Sequence, residues 1–556
     1  MQHSLVFLAS VGVSLATPPS YNVPHVTIQN GTLIGKTNNS VDSFIGIPYV
    51  KPPINDLRFR APQSIEESFG VLELPEVAPA CIQMHLSDVD TTGIPAEAVP
   101  AVQRLSQTPE TPQSEDCLTV TVQRPAGVSP GQRLPVLAWI HGGGWEIGAS
   151  QWYDGTAIVR KSMNMSEPVV FVSMNYRLGA FGFLHGKELS ENGSTNLGLR
   201  DQRKALEWIA ENIGAFGGDS DRVTIWGESA GAASVFDHLT INNGDHTYRG
   251  KPLFRGGIMN SCTLIRTLSA TSAKAQGVFD GLVTAAGCAN STETLACLRR
   301  ASTETLRVAA QSFGDFYTVK GNNLPFIRRP DESDCFFSQF GDEALESGRY
   351  ARVPVIAGSL EDEATIFALS QREVVNSTET LVDYMASWFP ETDRQVIANL
   401  IDTYPDDPAA GIPSGTGNLY ELYPQFKRNA AVQTDVTFAA ARRALLSQMQ
   451  GEVPIWAWLG TFQHALPQLG TYHTSDLGTH FRGLNPVAGN AINAAYIHFV
   501  HHLDPNGRTR APWWPQWDEE GLVLANFSAS ETGLTRDDFR RESFDFINAH
   551  SSEIRQ

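Results

Sequence analysis

The chemistry in this sequence is most evident at Gly227-Glu228-Ser229-Ala230-Gly231. Glycines on either side of a serine allow a backbone turn too tight for residues that carry a Cβ. Residues 222–226 (RVTIW) alternate β-branched and aromatic side chains, as a buried strand does, and the residues after Gly231 read as a helix. Strand, GxSxG turn and helix make a nucleophile elbow, which lifts the Ser229 hydroxyl over a helix N-terminus. That end offers unpaired N–H groups to a developing negative charge. Upstream, Leu134–Ile140 (LPVLAWI) reads as a buried strand running into His141-Gly142-Gly143-Gly144-Trp145. Three consecutive glycines leave backbone N–H groups uncovered, which suits an oxyanion-binding loop better than a plain flexible turn when an elbow follows.

A serine hydroxyl is a poor nucleophile at neutral pH. It needs a histidine to take its proton and an acid to hold the ring in the right tautomer. Behind an elbow these follow in the order acid, then histidine. The apolar run at 353–358 is followed by Glu361-Asp362-Glu363, any of which has the required chemistry. Farther on stand His464, His473, His480, His498, His501, His502 and His550. His473 lies in Gly- and Thr-rich sequence after the apolar run 453–458, which suits an exposed loop. His501 and His502 fall in a helical run and read as surface or packing residues.

These groups need a scaffold. Short N-terminal strands are expected at 26–32 and 43–49, and buried strands at Leu134–Ile140, 168–176, 222–226, Gly256–Asn260, 353–358 and 453–458. Helical segments lie between the later strands, such as 199–213 with Ala205, Leu206, Ile209 and Ile213 on one face. Strands alternating with helices predict a mainly parallel sheet covered on both faces. No linker divides the chain. Cys81 and Cys117 bracket a Pro-, Thr- and Ser-rich stretch in which 94–107 has weak helical periodicity. Closed by a disulfide, such a loop would have tethered ends and a mobile middle. That is a way to build a lid, or simply a surface excursion.

The 556 residues fit one large α/β domain or two to three average ones, and the 42% hydrophobic fraction is that of a globular protein. The net charge of −19 argues against nucleic acid and anionic membrane surfaces as partners. It reads as solubility or as attraction for cationic substrates. The opening MQHSLVFLASVGVSLA has a short apolar core and small residues at 14 and 16, predicting a signal peptide over 1–16 and a mature chain over 17–556. No later stretch is long and apolar enough for a transmembrane helix. Six cysteines and sequons at Asn30, Asn38, Asn164, Asn192, Asn290, Asn376 and Asn526 agree with an extracellular protein.

Motifs along nearly the whole chain resemble the type-B carboxylesterase/lipase family, which includes the cholinesterases, and within it the secreted fungal lipases. They run from FIGIPYVKPP at Phe44 and DLRFRAP at Asp56 through SEDCLTV at Ser114, HGGGW and NYRLGAFGFL at Asn175. NLGLRDQ, NIGAFGGDSDRVTIWGESAG, GKPLFRGGIM, PQFKR at Pro424, HTSD at His473 and LDPNG at Leu503 follow. The resemblance implies an α/β-hydrolase fold in one domain, with inserted loops roofing a pocket. It implies Ser229, Glu363 and His473 as catalytic residues, and Gly143, Gly144 and Ala230 as oxyanion donors. It also implies disulfides Cys81–Cys117 and Cys288–Cys297. Cys262 and Cys335 have no counterpart and would form a third bridge or stay free and buried. This sequence departs from the family at Ala364, Cys262 and Asn55, where glycine is common. Its 94–107 segment is less apolar than a lid that docks on lipid droplets.

The expectation is a secreted serine hydrolase that cleaves carboxylic esters, with no metal and no cofactor, acting on small-molecule or lipid esters without stable membrane insertion. An interfacial triacylglycerol lipase is the alternative. A non-catalytic adhesion protein is the remote one, since such members usually lack the serine or its partners.

Overall fold

The apolar run at Leu134–Ile140 forms a strand in the middle of an 11-stranded sheet. The computed structural model describes residues 23–96, 98–507 and 512–556. The signal segment expected over 1–16 lies outside them. In chain order the strands are β1 (Lys36–Asn38), β2 (Val41–Pro48), β3 (Thr119–Pro125), β4 (Leu134–Ile140), β5 (Val170–Met174), β6 (Gly218–Glu228), β7 (Gly256–Asn260), β8 (Val355–Leu360), β9 (Ile455–Thr461), β10 (Val523–Ser528) and β11 (Thr532–Arg536). Their spatial order is β11-β10-β9-β8-β7-β6-β4-β5-β3-β2-β1. From β5 to β10 every neighbouring pair is parallel. Beyond those limits the pairs are antiparallel.

The parallel strands read as continuous apolar runs because both faces are covered. Val136, Ala138 and Ile140 of β4 enter one core, with Leu199, Ala205 and Ile209 of the helix Leu197–Asn212 and most of the helix Ala230–Thr240. Leu137 and Trp139 enter a second core on the opposite face, with Trp226, Trp456, Trp458 and the helix Pro486–His502. Successive side chains of one strand thus serve two layers.

At three of the expected strands, prolines and turn chemistry shift the bounds. The run 26–32 is not one strand. It turns back at Gln29-Asn30, a two-residue loop that joins His25–Ile28 to Gly31–Ile34 as a hairpin. β8 and β9 begin one residue after Pro354 and Pro454, which have no N–H for the ladder, and run past 358 and 458. The lid stretch contains one short helix, Val99–Gln103.

The consequence for function lies at the carboxyl ends of the parallel strands, where open α/β sheets bind their ligands. The loop after β4 carries Gly142–Gly144, that after β6 carries Ser229, that after β8 carries Glu361–Glu363, and the segment after β9 carries His473.

Candidate active site

Ser229 stands between β6 and the helix Ala230–Thr240 with φ 56° and ψ −126°, a conformation that a side-chain-bearing residue seldom adopts. The flanking glycines make it possible. A Cβ at Gly227 would overlap the backbone of Gly231, and a Cβ at Gly231 would overlap the Ile140 carbonyl oxygen. The strained residue is fixed at both peptide groups. Its N–H donates to the Asn260 carbonyl at 2.9 Å, and its own carbonyl accepts from Ala233 N–H at 3.0 Å.

The Ser229 hydroxyl lies 2.8 Å from Nε2 of His473, and Nδ1 of that ring lies 2.7 Å from Oε2 of Glu363. An ionised carboxylate can only accept, so the Nδ1 proton points at Glu363 and Nε2 accepts from the serine. Glu363 is anchored in turn, since its Oε1 accepts the Leu360 N–H at 2.7 Å. The His473 N–H donates to the Glu363 carbonyl at 3.1 Å, joining the two loops by their backbones as well. The rings of Phe438 and Phe367 lie 4.7 and 5.3 Å from the imidazole and bury it.

The neighbouring acids do other work. Asp362 is buried and accepts N–H groups from Ser414 at 2.7 Å and Thr471 at 2.8 Å, bracing the acid loop against the histidine loop. Burial first, and then the nearby Glu361 charge, push its carboxyl up to about 7. Glu361 faces outward and meets Nδ1 of His464 at 2.7 Å. His480 pairs with Asn493 and Asn260, and His498 and His502 meet Glu167. Of the histidines left open by sequence, His473 alone is hydrogen-bonded to Ser229.

Gly143 and Gly144 have φ of 104° and 63°, which only glycine adopts freely. Among the described residues no acceptor pairs with either N–H, and both residues line the same cavity as Ser229 and His473. Ala230 is the first residue of its helix, where an N–H has no partner inside the helix. His141 positions this loop. Burial lowers its pKa to about 4, so it is neutral, and its ring stacks on Tyr176, whose hydroxyl donates to the His141 carbonyl at 2.7 Å.

Sequence reasoning missed Glu228, which lies inside the GxSxG motif itself. Its Oε1 is 3.6 Å from His473 Nε2 and is buried without a hydrogen-bond partner among the described residues. Burial, then the charges of Asp476 and Glu363, push its carboxyl well above the ordinary range and favour the neutral acid. The signal that could have found it is its position: the residue before the nucleophile ends β6 inside the sheet.

The cavity over Ser229 encloses about 560 Å³, within the range of small-molecule sites. Ile147, Phe316, Leu324, Ile366 and Phe367 give it apolar walls. Arg104, Leu105, Gln107 and Pro109 border it, so the stretch between Cys81 and Cys117 does reach the pocket. Those two cysteines are bonded, as are Cys288 and Cys297. Cys262 is free and buried; Cys335 is free but exposed, a correction to the expectation that it would be bridged or buried, because its loop turns it to solvent. Of the sequon asparagines, Asn38, Asn164, Asn192, Asn290 and Asn376 are exposed. Asn30 and Asn526 are partly buried and already hydrogen-bonded.

A profile described as "Carboxylesterase family" matches residues 22–546. The secreted triacylglycerol lipase LIP1 of Gibberella zeae is 40% identical over 536 residues, 95% of this chain and 90% of the relative. Secreted lipase 1 of Botryotinia fuckeliana is 41% identical over 539 residues, 95% and 93%. Among solved structures, Aspergillus niger EstA aligns with a TM-score of 0.80 at 25% identity, covering 96% of this chain and 99% of that one.

Proposed function

This chain belongs to the carboxylesterase family and is a carboxylic ester hydrolase, and from that premise we propose that it works outside the cell through an acyl-enzyme on Ser229. His473 accepts the serine proton as Oγ attacks the ester carbonyl. Glu363 keeps the imidazole in the accepting tautomer and stabilises its charged form. The N–H groups of Gly143, Gly144 and Ala230 hold the oxyanion; one such donor contributes about 3 kcal/mol to lowering the barrier. The tetrahedral intermediate collapses, His473 protonates the departing alcohol, and the acyl group remains on Oγ. Water, deprotonated by His473, then releases the acid. The observation that carries this reading is the unbroken chain Ser229–His473–Glu363, with contacts of 2.8 and 2.7 Å, lining one cavity with apolar walls.

The apolar walls suit the acyl chain. A second reading, an interfacial triacylglycerol lipase, is favoured by the relatives, which are named as secreted lipases, and by the tethered loop that borders the pocket. Residues 1–16 are then the secretion signal, and the exposed sequons are the candidates for glycans.

Ser229→Ala is the direct test: hydrolysis of p-nitrophenyl butyrate should vanish while the fold persists, and turnover near the wild-type rate would end the proposal. A chain-length series of p-nitrophenyl esters, run beside triglyceride emulsions, separates the two readings. A jump in rate once substrate exceeds its solubility selects the lipase.

A further inference from the structure

Near the amino end of β5, two histidines one helical turn apart meet a single carboxylate. His498 and His502 project from the same side of the helix Pro486–His502, as the i,i+4 spacing dictates. Glu167 comes from the segment between the helix Thr156–Asn164 and β5. Its Oε1 lies 3.0 Å from Nδ1 of His498 and 2.9 Å from Nε2 of His502, and the two rings are 4.2 Å apart. One ligand atom from each residue lies within 4.8 Å of the other two. Oε2 of Glu167 is buried and has no partner among the described residues.

We propose that Glu167, His498 and His502 form a zinc site that clamps the helix Pro486–His502 to the segment leading into β5. Two imidazoles and a carboxylate are a donor set that suits zinc, with the fourth corner of the tetrahedron left to water. Zinc bonds of about 2.0–2.2 Å put tetrahedral ligand atoms roughly 3.3–3.5 Å apart, so each histidine nitrogen need move only a few tenths of an ångström from its present contact with Oε1. Each ring binds as the neutral tautomer whose proton sits on the far nitrogen, leaving the lone pair of Nδ1 on His498 and Nε2 on His502 for the metal.

The surroundings are arranged for it. The ring N–H of His501 donates to the Pro168 carbonyl at 3.2 Å, fixing the backbone beside Glu167. Arg222 and Arg255 are engaged with the last carbonyls of the helix. His502 is half exposed, which gives an ion a path from solvent. The same helix packs Tyr496 against Trp226 of the elbow strand, so the clamp stiffens the floor under Ser229 without touching substrate.

The experiment uses full-length, untagged protein stripped with EDTA and blocked at Ser229 with a phosphonate, so that zinc binding at the catalytic histidine is excluded. Titration with zinc chloride should give one saturable site per chain. Affinity should fall at least tenfold in Glu167→Gln, His498→Gln and His502→Gln, whose ester hydrolysis before blocking should match wild type and report an intact fold. Zinc should raise the melting temperature of wild type and not of the variants, and cobalt(II) should give the intense visible bands of a tetrahedral ion. Absence of saturable zinc binding, wild-type affinity in all three variants, or an octahedral cobalt spectrum would each overturn the proposal. If a variant fails to fold, the wild-type cobalt spectrum decides alone.

Discussion

Replacing Glu363 with glutamine changes the shape of the site hardly at all and should reverse the polarity of its histidine. The carboxylate takes two hydrogen bonds at 2.7 Å, one from His473 Nδ1 and one from the Leu360 N–H. A glutamine has one oxygen for these two donors. The Leu360 N–H is buried and can only donate, so leaving it unpaired costs about 1–3 kcal/mol, a preference of roughly five- to hundred-fold for keeping the amide oxygen there. The side-chain NH₂ then faces His473. The ring answers by moving its proton to Nε2, where it meets the Ser229 hydroxyl as a donor and no longer as a base. A reversed tautomer of this kind lowers kcat on the order of 10⁴-fold, about 5.5 kcal/mol in the barrier. The assay is steady-state hydrolysis of a soluble p-nitrophenyl ester, with circular dichroism to confirm the fold. The expected result is the collapse of kcat with KM nearly unchanged, since no contact to bound ester is removed. A loss of less than tenfold would refute the reasoning, because it would mean that His473 does not depend on Glu363 for its tautomer.

Other perturbations follow from the same structure. Gly143→Ala puts a Cβ into the Ile147 carbonyl at a φ of 104°, so the loop must shift, and kcat should fall about 10²–10³-fold as an oxyanion donor moves away. For Asp362, an unfolded carboxyl titrates near ~4 while the folded one titrates at about 7, so between those values the folded chain holds a proton that the unfolded chain lacks. Its contribution to stability is full below pH ~4 and fades as pH rises through about 7. The melting-temperature difference between wild type and Asp362→Asn should therefore shrink between pH 5 and pH 8, and a widening gap would be the wrong sign. Replacing Cys81 and Cys117 by serine opens a loop with a sequence separation of 36, for which chain entropy gives a loss of about 3–4 kcal/mol in denaturant titrations.

The parts of the site that rest on local sequence were legible in advance. The elbow needs two glycines and a serine at fixed spacing, and β4 and β7 are apolar runs whose ends fall where the structure places them. The acid and the histidine were not fixed by chemistry alone, because Glu361, Asp362 and Glu363 are equivalent on paper. Only the turn after β8 decides that Asp362 points at two backbone N–H groups and Glu363 at an imidazole. Family resemblance supplied that choice. The outer strands escaped notice for another reason. β10 and β11 sit at the sheet edge, and Thr532–Arg536 is half exposed, so neither a continuous apolar run nor a clean alternation marks it. Glu228 was invisible as a buried neutral acid, since its raised pKa comes first from burial in the folded sheet and then from Asp476 and Glu363, which converge on it from distant parts of the chain.

The central claim is that Ser229 alone carries the acyl group. Incubation with a fluorophosphonate, followed by proteolysis and mass spectrometry, reads this directly. The account expects one adduct per chain, on the peptide that contains Gly227-Glu228-Ser229-Ala230-Gly231, with hydrolysis lost in proportion to labelling. An adduct on a different residue, or full labelling of Ser229 with ester hydrolysis undiminished, would contradict it.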